Sequence, residues 1–215
     1  MDLLPLVLDL GILAVAVVLH EVGHGVVAYR CGDPTAAEQG RLTLNPLRHV
    51  DPVGTLLVPG LLLVSAWAVG GRPMLFGWAK PVPIDPRRMH RPRRDMALVA
   101  LAGPAVNFLL AGLAGLGLRA GLEMDGPFGA LVRITAGTAI GINVVLGVLN
   151  LLPILPLDGG RVLTSMLPLP LARSYARLEP IGLIAVVLLL SQTSILSTLV
   201  RPVLDVFLYF AARAS

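Results

Sequence analysis

The chain carries little charge for its length. Of 215 residues only 14% are charged, and the 17 basic side chains include a single lysine, Lys80. The one cysteine, Cys31, excludes an internal disulfide and a four-thiolate metal site. Aromatic residues make up 5% of the chain, whereas 55% of it is hydrophobic. This composition excludes a disordered chain, a nucleic-acid-binding module and an ordinary water-soluble domain, because so few charges cannot cover so much apolar surface.

Long apolar runs predict a membrane protein built from helices. A run of about 20 apolar residues is long enough to cross a bilayer as an α-helix. We therefore expect an all-α polytopic membrane protein with four full transmembrane helices, at residues 3–28, 96–118, 130–152 and 181–199. The final apolar run, residues 203–212, is too short to cross and is expected to lie at the membrane interface.

The distribution of arginine predicts how these spans are oriented. Basic clusters follow the first span, precede the second and follow the third, whereas the connection between the second and third contains only Arg119 with Glu123 and Asp125. By the positive-inside rule, the three clusters are cytoplasmic and the N-terminus is outside. The apolar stretch 53–69 then lies between two cytoplasmic loops. Charge therefore predicts a re-entrant element that turns at Pro59 and Gly60, whereas hydropathy alone allows an extra span.

The first span contains a metal-binding motif, His20-Glu21-Val22-Gly23-His24. In a helix, the i, i+4 spacing places both imidazoles on one face, one turn apart, where they can share a metal ion. Glu21 projects beside them as a candidate base that takes a proton from water. Zinc suits this set, because two imidazoles and one carboxylate fill three of its four positions. Two packed histidines are the plainer alternative, but burying them with a glutamate in a membrane is expensive, which favours a functional role.

A third metal ligand is expected where the third span ends. The sequence from Asn150 to Gly160 contains two prolines that break the helix. Asp158 follows them and is expected to sit on a Gly-Gly turn, from which its side chain reaches back into the bundle. An ordinary surface turn is the alternative, but the predicted orientation brings His24 and Asp158 to the same cytoplasmic half. Asp9 lies about four turns from His24, too far away to share a metal.

Three motifs in matching order resemble those of the site-2 proteases, a family of intramembrane zinc metalloproteases. They are residues 20–24 on the first span, 102–108 on the second (AGPAVNF) and 150–160 at the end of the third. The ordered triplet is far more specific than the first motif alone. Segments 32–46 and 76–83 resemble a compact bacterial subgroup without a PDZ or CBS module, so the similarity covers roughly residues 10–165.

The resemblance implies a cofactor, a reaction and residue roles. It implies one zinc ion per chain, held by His20, His24 and Asp158, with Glu21 as general base and Asn150 lining the active site. The implied activity is a zinc-dependent endopeptidase that cleaves membrane-anchored protein substrates in or near their transmembrane segments, as in regulated intramembrane proteolysis. We expect one integral-membrane domain over residues 1–215, with a catalytic core at 3–165 and C-terminal helices at 166–215. We expect it in the bilayer of a bacterial inner membrane, with the active site toward the cytoplasm.

A transmembrane substrate must unwind before its peptide bonds can be attacked, because they are locked in helical hydrogen bonds. Residues 39–46 alternate Arg41 and Thr43 with leucines, between Gly40 and an Asn45-Pro46 stop. This pattern predicts a short cytoplasmic β-hairpin whose edge accepts the unwound substrate by strand addition. A plain surface hairpin is the alternative.

The remaining polar residues receive simpler interpretations. Asn143 is expected to hold two helices together by a hydrogen bond inside the membrane. Gly103 and Asn107 are interpreted mainly as close-packing residues. His49 and His90 lie in loops rich in arginine and proline and are expected to be solvated.

Two functions from other classes compete with the protease. A membrane transporter or a metal-binding membrane protein without protease activity would also place His, Glu and Asp inside a bilayer and break its helices. However, no pair of corresponding broken segments appears in the two halves of the chain. A catalytically dead scaffold is disfavoured because each expected catalytic side chain is in place. The sequence specifies neither an oligomeric state nor a particular substrate.

Overall fold

The structure is a computed structural model that describes residues 3–57, 79–191 and 193–213. These residues are mostly α-helical, and short helical turns lie at Pro46–His49, Pro52–Leu57 and Pro86–Arg88. No strand occurs within the described ranges. The helices are α1 (Leu3–Arg30), α2 (Thr35–Glu38), α3 (Pro92–Leu122), α4 (Gly126–Asn150), α5 (Asp158–Met166), α6 (Leu169–Ala176), α7 (Glu179–Ser191) and α8 (Thr193–Arg213).

Four helices are long and apolar enough to cross a membrane. They are Val7–Arg30 within α1, then α3 and α4, and Ser194–Arg213 within α8. The first three agree with the predicted spans. Their outward faces carry exposed leucine and valine, as lipid-facing surfaces require. The chain is therefore an integral membrane protein built on four apolar helices.

The fourth predicted span agrees with the structure only in part. Residues 181–199 lie partly in α7, which has 13 residues, and partly in α8, on either side of residue 192, which is outside the described residues. The terminal run 203–212, assigned to the interface, is instead part of the 21-residue α8. Arg201 and Asp205 are charged residues within the apolar sequence of α8. They lie one turn apart and face each other, with Arg201 Nε and Asp205 Oδ2 separated by 3.8 Å.

The long helix α3 lies at the centre of the bundle. It packs against α1, α4, α5 and α8. Ala111 of α3, Ile140 and Val144 of α4 and Val200 of α8 form a buried apolar cluster. Close approach of the helices relies on small residues: a Cβ at Gly147 of α4 would lie only 2.8 Å from the ring of a phenylalanine on α3.

The predicted β-hairpin at residues 39–46 is also wrong. Arg41 instead reaches across to the 79–83 segment, where its Nη2 donates to the carbonyl oxygens of Lys80 (2.9 Å) and Pro81 (3.3 Å). Pro81 has no N–H to donate to a ladder. Asn45 accepts a hydrogen bond from the Leu47 amide (3.0 Å) and so begins a helical turn rather than a strand. Most of the predicted re-entrant element, residues 58–69, lies outside the described residues.

We expect the basic segments on both sides of residues 58–78 to lie in the cytoplasm. Because Cys31 is the sole cysteine, Cys31→Ser followed by one cysteine at Leu44, Arg87 or Asp125 gives three specific probes at exposed positions. In intact cells, a membrane-impermeant thiol reagent should label only the Asp125 position. The other two should react once the membrane is opened. Labelling at the Arg87 position in intact cells would mean an odd number of crossings between residues 44 and 87 and would contradict the predicted orientation.

Candidate metal centre

Two histidines of α1 meet in the interior of the bundle. His20 and His24 are one helical turn apart, as their spacing predicts, and are 8% and 4% exposed. Their Nε2 atoms approach to 3.0 Å, and the two rings meet edge to face. Both imidazoles therefore aim the same nitrogen at one point.

Asp158 is brought to that point by the break after α4. The helix ends at Asn150, and Asp158 opens α5 rather than sitting on a Gly-Gly turn as expected. A Cβ at Gly159 would lie 2.2 Å from the Leu151 carbonyl oxygen, so only glycine lets the chain fold back this tightly. Asp158 is 5% exposed, and its Oδ2 lies 3.2 Å from His20 Nε2 and 3.3 Å from His24 Nε2.

The orientation of His20 is fixed by two asparagines that the sequence did not single out as functional. Asn143 of α4 donates through Nδ2 to the Ala139 carbonyl oxygen (2.9 Å), so its Oδ1 must accept from Asn107 Nδ2 (3.0 Å). Asn107 Oδ1 then faces His20 Nδ1 at 2.6 Å and can only accept, so the proton of the neutral ring is on Nδ1. The expected helix-joining role of Asn143 agrees with this geometry.

His24 has the same tautomer for the same reason. Its Nδ1 donates to the carbonyl oxygen of Val99 on α3, at 2.6 Å. A carbonyl oxygen has no proton to give, so His24 Nδ1 carries the proton and Nε2 has a free lone pair.

Three acceptor atoms thus face one another with no proton between them. Asp158 Oδ2 is buried and has no hydrogen-bond donor within the described part of the chain. Such a cluster is repulsive unless a cation lies at its centre. Tetrahedral zinc with ligands at about 2.0–2.1 Å requires its ligand atoms to be about 3.3–3.4 Å apart. The observed separations of 3.0, 3.2 and 3.3 Å fit this geometry, so the three residues form a group suited to zinc.

Glu21 lies beside the three acceptors but is held by a different segment. Its Oε2 accepts a hydrogen bond from the main-chain amide of Val82, at 2.7 Å. Val82 is 5% exposed, and its side chain packs close to Gly25 of α1. The 79–83 segment is therefore attached to α1 next to the motif at residues 20–24.

Asn150 makes no hydrogen bond to the three acceptors among the described residues. Its Nδ2 donates to the Leu146 carbonyl oxygen one turn back in α4, at 3.0 Å. The side-chain NH2 carries two hydrogens, so the second can donate to a bound molecule while this bond is kept.

His49 differs from its prediction, because it is 3% exposed and not solvated. Its Nε2 lies 2.9 Å from the Thr43 carbonyl oxygen, since the 41–49 segment folds over it. His90 is exposed, as expected.

Gly103 of α3 makes room for both imidazoles. A Cβ at this position would lie 2.5 Å from His20 Cε1 and 2.5 Å from His24 Nε2. We expect Gly103→Ala to push the rings apart and to lower the zinc content of the purified protein after dialysis against a mild chelator. Gly112→Ala, on the same helix, is a matched control, because its Cβ would meet no atom closer than 3.9 Å. Full zinc retention in Gly103→Ala would show that the metal does not lie between these rings.

Comparison with known proteins agrees with this geometry. The model of peptidase family M50 matches residues 129–191, a range that contains Asp158. The chain is 38% identical over 197 residues to the Bacillus subtilis (strain 168) protein named "Putative zinc metalloprotease YwhC", covering 90% of this chain and 84% of that protein. It is 37% and 35% identical to proteins named "Putative zinc metalloprotease Rip2" from Mycolicibacterium smegmatis and Mycobacterium tuberculosis (strain Erdman).

The matches to the two Rip2 proteins cover 80% and 83% of this chain but only 62% and 65% of their own length. No solved structure matches the chain significantly. The similarity to YwhC extends over most of both proteins, and at this identity it establishes common ancestry. The chain therefore belongs to peptidase family M50, the family of the site-2 proteases.

Proposed function

We propose that this zinc-dependent intramembrane protease binds its metal through His20, His24 and Asp158, with Glu21 as the general base. The observation that carries the proposal is the convergence of three buried acceptor atoms within 3.3 Å of one another. Asn107 is a positioning residue in this scheme, because it holds the Nδ1 proton of His20 and so leaves Nε2 free for the metal.

The chemistry divides between the metal and the chain. Zinc, when bound, would polarise the scissile carbonyl and lower the pKa of water toward about 7. Glu21 accepts the proton that water loses and passes it to the leaving amine. The Val82 amide occupies Oε2 of Glu21, which leaves Oε1 to hold that proton. Asn150 donates to the substrate carbonyl through the second hydrogen of its Nδ2, while the first stays on the Leu146 oxygen.

The proposed substrate is a membrane-anchored protein, cut in or near its transmembrane segment. His20 lies ten residues before the end of α1, or about 15 Å along the helix. This depth suits a peptide bond below the membrane surface. We place the protein in a bacterial inner membrane with this end of α1 toward the cytoplasm, because the basic residues cluster there. The helices after residue 166 then complete a single integral-membrane domain.

A transporter or a non-catalytic metal-binding protein is not favoured. Either function accounts for intramembrane histidines, but neither has a use for Glu21 beside the metal ligands. Membership of a peptidase family also supports catalysis over transport.

Glu21→Gln tests the assignment of the base. The amide oxygen of glutamine still accepts from the Val82 amide, so the variant should fold and keep its zinc while losing the base. We expect cleavage of a membrane-anchored substrate to fall by about 10² or more. Glu123→Gln is the matched control, since Glu123 is exposed and lies at the far end of α3, 3.8 Å from Arg119. Cleavage by Glu21→Gln at near the wild-type rate, with zinc bound, would disprove the assignment.

A further inference from the structure

A cavity of about 380 Å³ opens between the 39–50 segment and the 79–83 segment. Three cationic side chains line it: Arg41, Arg48 and Lys80. No carboxylate is among its lining residues in the described part of the chain. The cavity is therefore strongly positive and lies outside the metal centre described above.

Arg41 is the most unusual of the three cations. It is 7% exposed and makes no ion pair with any described residue. Its Nη2 donates to the Lys80 and Pro81 carbonyl oxygens, but its buried Nε has no partner among the described residues. Residues 58–78 contain no aspartate or glutamate, so that segment cannot supply a carboxylate either. A buried guanidinium without an anion is costly.

Neighbouring arginines on the same side of the molecule are already neutralised. Arg88 pairs with Glu38 at 2.6 Å, and this guanidinium holds the pKa of the Glu38 carboxyl below its usual range. Arg87 pairs with Asp85 at 3.0 Å. The three cations of the cavity differ from them in having no acidic partner among the residues that the structure describes, although acidic residues lie close by in the sequence.

Exposed leucines lie at and beside the cavity. Leu47 lines it and is 77% exposed, and Leu44 nearby is 65% exposed. Exposed leucines beside arginine and lysine are typical of a surface at the boundary between lipid tails and headgroups. The positive-inside prediction places this face at the cytoplasmic leaflet, where anionic lipids attract basic residues.

We propose that this cavity binds the phosphate headgroup of an anionic phospholipid, with Arg41, Arg48 and Lys80 as its cationic ligands and Leu47 against the acyl chains. A phosphodiester offers acceptor oxygens and a negative charge, which match the donors and charge of the site. Arg41 supplies the buried donor, and the two exposed side chains close over the phosphate.

The cavity shares a wall with the segment that holds Glu21. The carbonyls of Lys80 and Pro81 are fixed by Arg41, and the next residue, Val82, donates its amide to Glu21. A headgroup that draws Arg41 toward it shifts the 79–83 segment. If Glu21 is the general base, as proposed above, the lipid therefore changes the rate of cleavage. Lipid binding itself does not depend on the role of Glu21.

Binding is measured on the purified full-length protein in detergent micelles, with retained lipid counted by native mass spectrometry. Phosphatidylglycerol, phosphatidylcholine, inorganic phosphate and an acidic peptide are the four probes. We expect phosphatidylglycerol to be retained in preference to phosphatidylcholine, and Arg48→Gln with Lys80→Gln to weaken its apparent affinity about tenfold or more. Arg94→Gln with Arg173→Gln removes two exposed positive charges elsewhere and is the matched control.

Each outcome decides the proposal. Selective loss in the cavity variant, with the control within about twofold of wild type, supports it. Equal loss in both double variants would show a diffuse charge effect, and no preference for phosphatidylglycerol would exclude a lipid site. Inorganic phosphate that binds as tightly would identify a free-anion site, and displacement by an acidic peptide would identify a substrate contact; either result overturns the proposal. Glu21→Gln should bind phosphatidylglycerol like wild type, so failure of the protease mechanism is separable from failure of this site.

Discussion

Three lone pairs meet inside the bundle, and much of the surrounding structure serves to hold them there. The Nε2 atoms of His20 and His24 and Oδ2 of Asp158 lie within 3.3 Å of one another and away from water. Without a cation this arrangement is repulsive, and the low dielectric of a membrane interior increases the repulsion. The helices must therefore hold these three atoms in place against the repulsion.

Three features of the sequence supply that restraint. Gly103 lets α3 approach both imidazoles, where any side chain would collide with them. Asn107 and the Val99 carbonyl fix the Nδ1 protons, so that the free lone pairs point inward. Gly159 allows the chain after α4 to fold back and deliver Asp158. The hydrogen bonds from Ala139 through the two asparagines to His20 connect α4, α3 and α1, so the packing of the bundle and the tautomer of a proposed metal ligand are coupled.

The sequence pattern was sufficient to predict those parts of the site whose residues are close together in the chain. Helical periodicity placed His20 and His24 on one face, and the proline-broken end of α4 indicated Asp158. The role of Asn107 could not be found this way, because its partners lie 87 residues before it and 36 residues after it in the chain. A polar residue buried in an apolar helix was the available signal. No sequence pattern indicated that the main-chain amide of Val82 donates to Glu21, because every residue except proline has the same donor.

The errors in the fold have similar physical causes. A hydropathy scale scores Arg201 and Asp205 as two separate charges, so it ended the last predicted span before them. In the structure the two side chains face each other on α8, which continues to Arg213. The alternating pattern of residues 39–46 suggested a strand, but Arg41 uses its side chain to bond the carbonyls that a ladder would use. In both cases a side-chain partner overrode the pattern along the chain.

The central claim is that zinc is bound by two imidazoles and one carboxylate. X-ray absorption at the zinc edge of the purified full-length protein tests it most directly, because scattering from the imidazole rings counts the histidine ligands and bond length separates oxygen or nitrogen from sulfur. The account predicts two imidazoles, with all nearest neighbours at about 2.0–2.2 Å. Two results would contradict the account. One is a sulfur neighbour at about 2.3 Å, which would have to come from Cys31, the sole cysteine; the other is a third imidazole, from His49 or His90.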